Sequence, residues 1–204
     1  MTTAGIILAA GAGRRMGKPK ALLRTEEGIS WARHSYDVLR AADVAHIVVV
    51  LGAEADRVGA EFPGAKHSVD RAASPDLVVA DSWRLGIGAS LGAGLRHLLA
   101  DRVTDAALVT LVDTPGVSSA VVHRLLDAAS GQSALARASY NGVPLHPVLL
   151  GRDHWGGIIE TAQGDTGARD YLRDRADDVR LIECADIGSG IDIDTPEQLT
   201  EWNQ

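Results

Sequence analysis

The chain has 204 residues, 46% of them apolar, and a formal net charge of −7. That length fits one α/β domain over residues 1–204, and the acidic balance excludes a non-specific nucleic-acid binder, which needs excess positive charge. Cys184 is the single cysteine, so an intrachain disulfide is excluded. The start of the chain has neither a basic leader region nor an apolar run long enough to span a bilayer, so the expected location is cytoplasmic with no membrane contact.

The first predicted element is a strand over residues 4–10, AGIILAA, which runs into the glycine-rich segment LAAGAGRRMGKPKALL of residues 8–23. Arg14, Arg15, Lys18 and Lys20 crowd this segment in an otherwise acidic chain. Glycines let backbone N–H groups approach an anion, and the cations neutralise it, so the segment reads as a polyphosphate cradle at a strand's carboxyl end. A strand-to-helix turn with a solvated basic rim would have the same spacing. A P-loop is excluded because five residues separate Gly11 from Gly17 and Pro19 follows Lys18. The dinucleotide fingerprint fails too: its third glycine comes one residue late, and Pro19 disfavours helix at Lys18.

Helical spacing of apolar residues predicts a helix over 30–42 with Ser30 as N-cap, followed by a buried parallel strand over 46–52. A short helix over 53–62 and a short strand near 66–69 come next. In SWRLGIGASLGAGL (82–95), Gly86 and Gly88 read as a flexible loop before a helix over 90–100, with Ser90 near its N-terminus. A buried strand over 105–113 ends in Asp113, on the rim where the basic loop lies. Mg²⁺ takes one or two carboxylates plus phosphate oxygens, so Asp113 is a candidate ligand, while a turn-initiating Asp before Thr-Pro would look the same.

A helix over 118–129, strands near 133–139 and 146–150, helices near 153–162 and 167–176 and a strand over 179–184 follow, Cys184 reading as core. His146, between two prolines, reads as a rigid polar contact. Asp165 and Thr166 read as a helix start, which would put Arg169 in the first turn, facing either an anion or a surface ion pair. In IDIDTPEQL (191–199), alternation places Asp192 and Asp194 on one face and Ile191 and Ile193 on the other. Either Asp completes a metal site, or Asp194 or Thr195 caps the final helix, which starts at Pro196. The seven histidines show no i, i+3 or i, i+4 pair, so no histidine metal site is indicated. The alternation of strands and helices predicts an α/β fold with a mostly parallel, three-layer sheet whose ligands sit at the strands' carboxyl ends.

On these residues the chain resembles the GT-A-like, Rossmann-related nucleotidyltransferases, and within them the molybdenum cofactor cytidylyltransferase group. The first motif is matched throughout by residues 8–23, and GIGASLGAGL, LVDTP, PLHPVLLG, GDTGARDYL and IDIDTPEQL follow in the family's order. The resemblance implies a three-layer α/β/α sandwich with the Rossmann-like sheet of the nucleotide-diphospho-sugar transferase type. It implies that Ala9, Ala10, Gly11 and Ser90 approach the base, that Gly13, Arg14 and Arg15 hold the triphosphate, and that Lys20 reaches the phosphates. Arg15, Lys20 and Asp113 would be the catalytic set, with Mg²⁺ on Asp113 and Asp194 and with His146, Asp165 and Arg169 facing the acceptor. It further implies CTP as the nucleotide, since Ala10 stands where the guanylyltransferases of the pathway carry glycine. The implied acceptor is the phosphate of molybdopterin, with transient contact to a recipient molybdoenzyme or its chaperone. Thr114, Gly116 and Gly92 depart from the group's pattern near the acceptor. Other readings are the same chemistry with GTP or with methylerythritol phosphate or a sugar phosphate, a non-catalytic accessory protein, and an NAD(P)-binding oxidoreductase.

Overall fold

In the computed structural model of the protein, residues 2–65 and 74–202 are described. The strand expected near 66–69 lies outside them. Among the described residues, a seven-stranded sheet runs in the order β3-β2-β1-β4-β6-β5-β7. Its strands are β1 (Thr3–Ala9), β2 (His46–Leu51), β3 (Asp76–Val79), β4 (Ala106–Leu111), β5 (Leu135–Tyr140), β6 (Val143–Gly151) and β7 (Val179–Glu183). Pairings β1–β2, β1–β4, β2–β3 and β5–β7 are parallel, whereas β6 runs antiparallel to both β4 and β5. The sheet is therefore mostly parallel, as expected. The reversal at β6 comes from a hairpin in which Asn141 and Gly142 both take positive φ, 53° and 78°. An Asn-Gly pair favours this turn because both central residues must be left-handed.

Side-chain alternation along β1 divides the core. Ile7 and Ala9 face one layer, with Leu39, Val49, Leu125 and Leu149. Ala4, Ile6 and Leu8 face the other, with Val50, Leu91, Leu95, Trp155 and Ile158. The first layer holds α1 (Trp31–Ala41), α2 (Ala55–Gly59) and α4 (Ser119–Ala128), and the second holds α3 (Ile87–Leu99), α5 (Arg152–Thr161) and α6 (Arg169–Arg173). A final helix, α7, spans Pro196–Trp202. The central strands are buried on both faces, which is why their sequences are continuous apolar runs.

Local signals behave as their chemistry requires. Ser30 caps α1 by accepting from the Arg33 amide, and Ser118 caps α4 by accepting from the Val121 amide. Pro19 is followed only by the short 3-10 turn Lys20–Leu22. Three expectations are corrected. Gly88 lies inside α3, which begins at Ile87 rather than 90, and a side chain there would meet the Ala162 backbone at 2.8 Å, so this glycine serves close packing and not loop flexibility. The helix expected over 167–176 shrinks to Arg169–Arg173, since its start is occupied by the 3-10 turn Gly164–Thr166 and by Gly167 at φ 55°. Ile191 is 61% exposed while Ile193 is buried, so the two do not share a buried face. This segment has no ladder partner to hold strict alternation.

Candidate active site

The basic loop leaves β1 at the carboxyl end of the sheet. Gly13, at φ 59°, packs so closely on the next turn that a side chain there would come within 1.9 Å of the Lys18 carbonyl oxygen. Beneath the loop, Leu23, Trp31 and Ile193 form a small apolar cluster flanked by Met16 and Leu199. The cluster fixes the 193–199 segment against the loop. The Ile193 amide also donates to the Asp113 carbonyl at 2.9 Å.

These two ties set Asp113 and Asp194 around one cation. Lys20 Nζ donates to Asp113 Oδ2 at 2.7 Å and to Asp194 Oδ1 at 2.5 Å, across 93 and 174 residues of sequence. Arg15 reaches the other oxygen of Asp194 at 2.9 Å. Lys20 is 14% exposed, Asp113 21% and Asp194 27%, so a cleft retains access to water. Burial pushes the Asp113 carboxyl above its ordinary range, and the Lys20 charge offsets only part of this. The Lys20 hydrogen bond, against a smaller desolvation, holds the Asp194 carboxyl below its ordinary range, and Arg15 adds to it. For Lys20, desolvation is outweighed by the two carboxylates, and the ammonium is held charged.

The competing roles of the two aspartates are filled by other residues. The turn after β4 is held by Thr114, whose hydroxyl donates to the Leu111 carbonyl at 3.0 Å. Helix α7 is capped reciprocally: the Gln198 amide donates to Thr195 Oγ1, and Gln198 Oε1 accepts from the Thr195 and Asp194 amides. The carboxylates of Asp113 and Asp194 are thus left to the cations. Asp113 Oδ1 is buried without a hydrogen-bond partner. An orphaned carboxylate oxygen beside a second carboxylate, with a cation already between them, suits a divalent metal. Asp192 is exposed, yet it faces Asp113 closely enough to raise its carboxyl further.

The remaining expected residues fall in two groups. Ala9 and Ala10 are buried, and Gly11 is exposed at the loop's start. Gly52 backs Ala10 so closely that a side chain there would meet the Ala10 oxygen at 2.6 Å. Ser90 is buried in the amino-terminal half of α3, and Arg14 is exposed. Asp165 stands on the exposed 3-10 turn against Gly86. His146 and Arg169 form the second group. His146 is half-buried, and desolvation, with Arg137 and Arg169 nearby, pushes its pKa down to about 4. Its ring is therefore neutral near pH 7 and acts as a hydrogen-bonding group.

Arg137 escaped the sequence reading. It lies on β5, where Nη2 donates to the Pro144 carbonyl at 3.1 Å. Burial and the facing Arg169 both disfavour its charged form. Among the described residues, neither arginine has a carboxylate within ion-pair distance. The signal was one cation in a strand run with no other charge, LARASY.

A glycine-rich basic loop after the first parallel strand, facing two carboxylates at the same rim, defines a protein of the nucleotidyltransferase class. The chain belongs to the MobA-like NTP transferase domain family, whose model matches residues 5–179. It is 33% identical to nicotine blue oxidoreductase of Paenarthrobacter nicotinovorans, over 96% of this chain and 93% of that one. It is 31% identical to the bifunctional protein GlmU of Nocardia farcinica over 98% of this chain, which spans 36% of that longer protein. In fold it matches the crystal structure of Rv0371c from Mycobacterium tuberculosis, with a TM-score of 0.78 at 24% identity over 100% and 98% of the two chains. That protein has also been solved in complex with manganese (TM-score 0.74, 23% identity, 98% and 97% of the chains). Among the described residues no helix is long and apolar enough to cross a membrane.

Proposed function

We propose that the protein transfers CMP from CTP to the phosphate of molybdopterin carrying molybdenum, releasing pyrophosphate. The observation that carries the reading is the single ammonium of Lys20 set between Asp113 and Asp194, with Arg15 on the outer oxygen. In this reading the Gly13 loop, Arg14 and Arg15 bind the triphosphate, and Ala9, Ala10, Gly11 and Ser90 line the base. An acceptor phosphate oxygen bonds to the α-phosphorus as the α–β phosphoanhydride bond breaks, and Lys20 and Arg15 neutralise the charge that builds on pyrophosphate. A phosphomonoester dianion is already nucleophilic, so no general base is required. Arg137, Arg169 and neutral His146 orient the acceptor's anionic group, with Asp165 at the mouth. When bound, Mg²⁺ would be held by Asp113 and Asp194 and would supply positive charge to the phosphate oxygens. The protein acts in the cytoplasm as a single domain, and its product passes to a molybdoenzyme or its chaperone.

The test is calorimetric titration with CTP and GTP in Mg²⁺, on wild type and Asp113→Ala, followed by pyrophosphate release with molybdopterin and simpler phosphomonoesters. CTP preference, with turnover abolished and weak binding kept in Asp113→Ala, supports the reading. GTP preference, or turnover only with another acceptor, replaces its specific part, and binding without turnover makes the protein an accessory carrier.

A second reading rests on the Paenarthrobacter relative, whose name is that of an oxidoreductase. Here the same cleft would hold a nicotinamide dinucleotide. Tight NAD(P)H binding with no nucleotide transfer would favour it. The loop spacing and the carboxylate pair stand against it.

A further inference from the structure

The edge of the sheet opposite the active site carries a cluster that no role above uses. His46 is the first residue of β2, Asp76 is the first of β3, and His97 lies in the last turn of α3. His46 Nε2 and His97 Nε2 both converge on Asp76 Oδ2, at 3.0 and 2.9 Å. The three atoms all lie within 4.8 Å of one another. Two imidazole nitrogens and a carboxylate oxygen are a common ligand set for zinc. At the usual bond lengths, tetrahedral ligands stand about 3.3 Å apart, so the two contacts to Asp76 would each open by a few tenths of an ångström as an ion entered.

A second observation is independent of that convergence. His46 is only 6% exposed, and its Nδ1 is buried without a hydrogen-bond partner, 3.6 Å from Asp101 Oδ2. If neutral His46 gives its proton to Asp76, Nδ1 becomes a bare acceptor facing a carboxylate. If Nε2 instead gives its lone pair to a metal, the proton moves to Nδ1 and points at Asp101. This carboxylate–histidine–metal relay is how metal-bound imidazoles are oriented. Asp101 is itself held in place, with its Oδ2 accepting from Thr104 Oγ1 at 3.2 Å and its Oδ1 from the Val103 amide at 3.0 Å. Asp76 and Asp101 have further interactions besides these. The competing occupant is a proton, giving an imidazolium between two aspartates.

We propose that His46, Asp76 and His97 bind one divalent transition-metal ion of the zinc type, with Asp101 orienting His46. The ion would pin α3 to β2 and β3, a length of β2 (about 17 Å) away from the nucleotide loop. It is distinct from any cation held by Asp113 and Asp194.

The test uses the full chain, stripped with a chelator and titrated with Zn²⁺ alone by calorimetry, with Co²⁺ as a spectroscopic probe. Wild type should take up one Zn²⁺ at this site, an uptake that survives Asp113→Asn, and its Co²⁺ form should show the intense visible bands of a four-coordinate ion. His97→Ala, at a side chain 37% exposed, should weaken uptake by at least about 100-fold, since it removes a ligand outright. Asp101→Asn should weaken it about 10–100-fold while leaving the ligands in place. Absence of micromolar uptake by wild type would overturn the proposal, as would uptake unchanged in His97→Ala or lost in Asp113→Asn. Should His97→Ala fail to fold, Asp101→Asn and the wild-type Co²⁺ spectrum decide it.

Discussion

Replacing Lys20 by Met keeps the apolar stem and removes the cation that Asp113 and Asp194 share. The variant loses two charged hydrogen bonds that wild type makes at 2.7 and 2.5 Å, each worth about 1.5–3 kcal/mol. Breaking a fully buried pair costs about 3–5 kcal/mol. Here the carboxylates are 21% and 27% exposed, so water recovers part of the loss, and about 2–3 kcal/mol is expected at neutral pH. For a chain of this length that lowers Tm by about 4–12 °C. The pH dependence follows from the two carboxyls. Asp113 is already raised by burial, and without Lys20 it rises further, so ionising it costs the folded state more as pH climbs through the carboxylate range. Asp194 is lowered chiefly by Lys20, and that contribution, present above the unfolded value and lost as pH falls, disappears in the variant. Both effects make the deficit largest at neutral pH and smaller in acid. Mg²⁺ should raise the variant's Tm more than that of wild type, because the freed carboxylates compete for it. Turnover should fall about 10²-fold or more. Thermal melts across pH, with and without Mg²⁺, read all of this. An unchanged Tm at pH 7, or a deficit that grows in acid, would refute the reasoning.

His146 carries the second pH effect. Its folded value of about 4 lies below the ordinary 6.5, so wild type loses about 3 kcal/mol as pH falls from 6.5 to 4. His146→Asn should lack this component in denaturant titrations, and an identical slope in the two proteins would show that the ring is not buried as described. Gly13→Ala places a side chain against the Lys18 carbonyl at a positive φ, so triphosphate binding measured by calorimetry should be lost, and wild-type affinity would remove the loop from the site. Arg137→Met should raise the acceptor's KM about 10-fold or more with nucleotide affinity unchanged, as for one lost charged hydrogen bond. An equal effect on the nucleotide would place Arg137 on the other side of the cleft.

Much of the frame was legible because it is local. Ser30 announces a cap, continuous apolar runs announce strands buried on both faces, and Pro19 forbids the helix that a dinucleotide loop needs. The Asn141-Gly142 turn, which reverses β6, was equally local and went unread. Strand β3 was missed because its four residues carry no alternation long enough to register.

The sequence by itself determined the basic glycine loop, the apolar strands and the carboxylates available to meet them. It left open whether Asp194 or Thr195 caps the last helix, and the Thr195–Gln198 cap leaves the Asp194 carboxylate to Lys20 and Arg15. Only the tertiary structure decided that Asp113 and Asp194 share one ammonium, because the Ile193 amide had first to bond the Asp113 carbonyl across the cluster of Leu23 and Trp31. It alone set Arg137 beside Arg169, and it brought His46, Asp76 and His97 together although no histidine spacing hinted at it. Periodicity reports which face of an element is buried. Which elements share that face depends on strand order and crossover, and these bring together residues that no local pattern links.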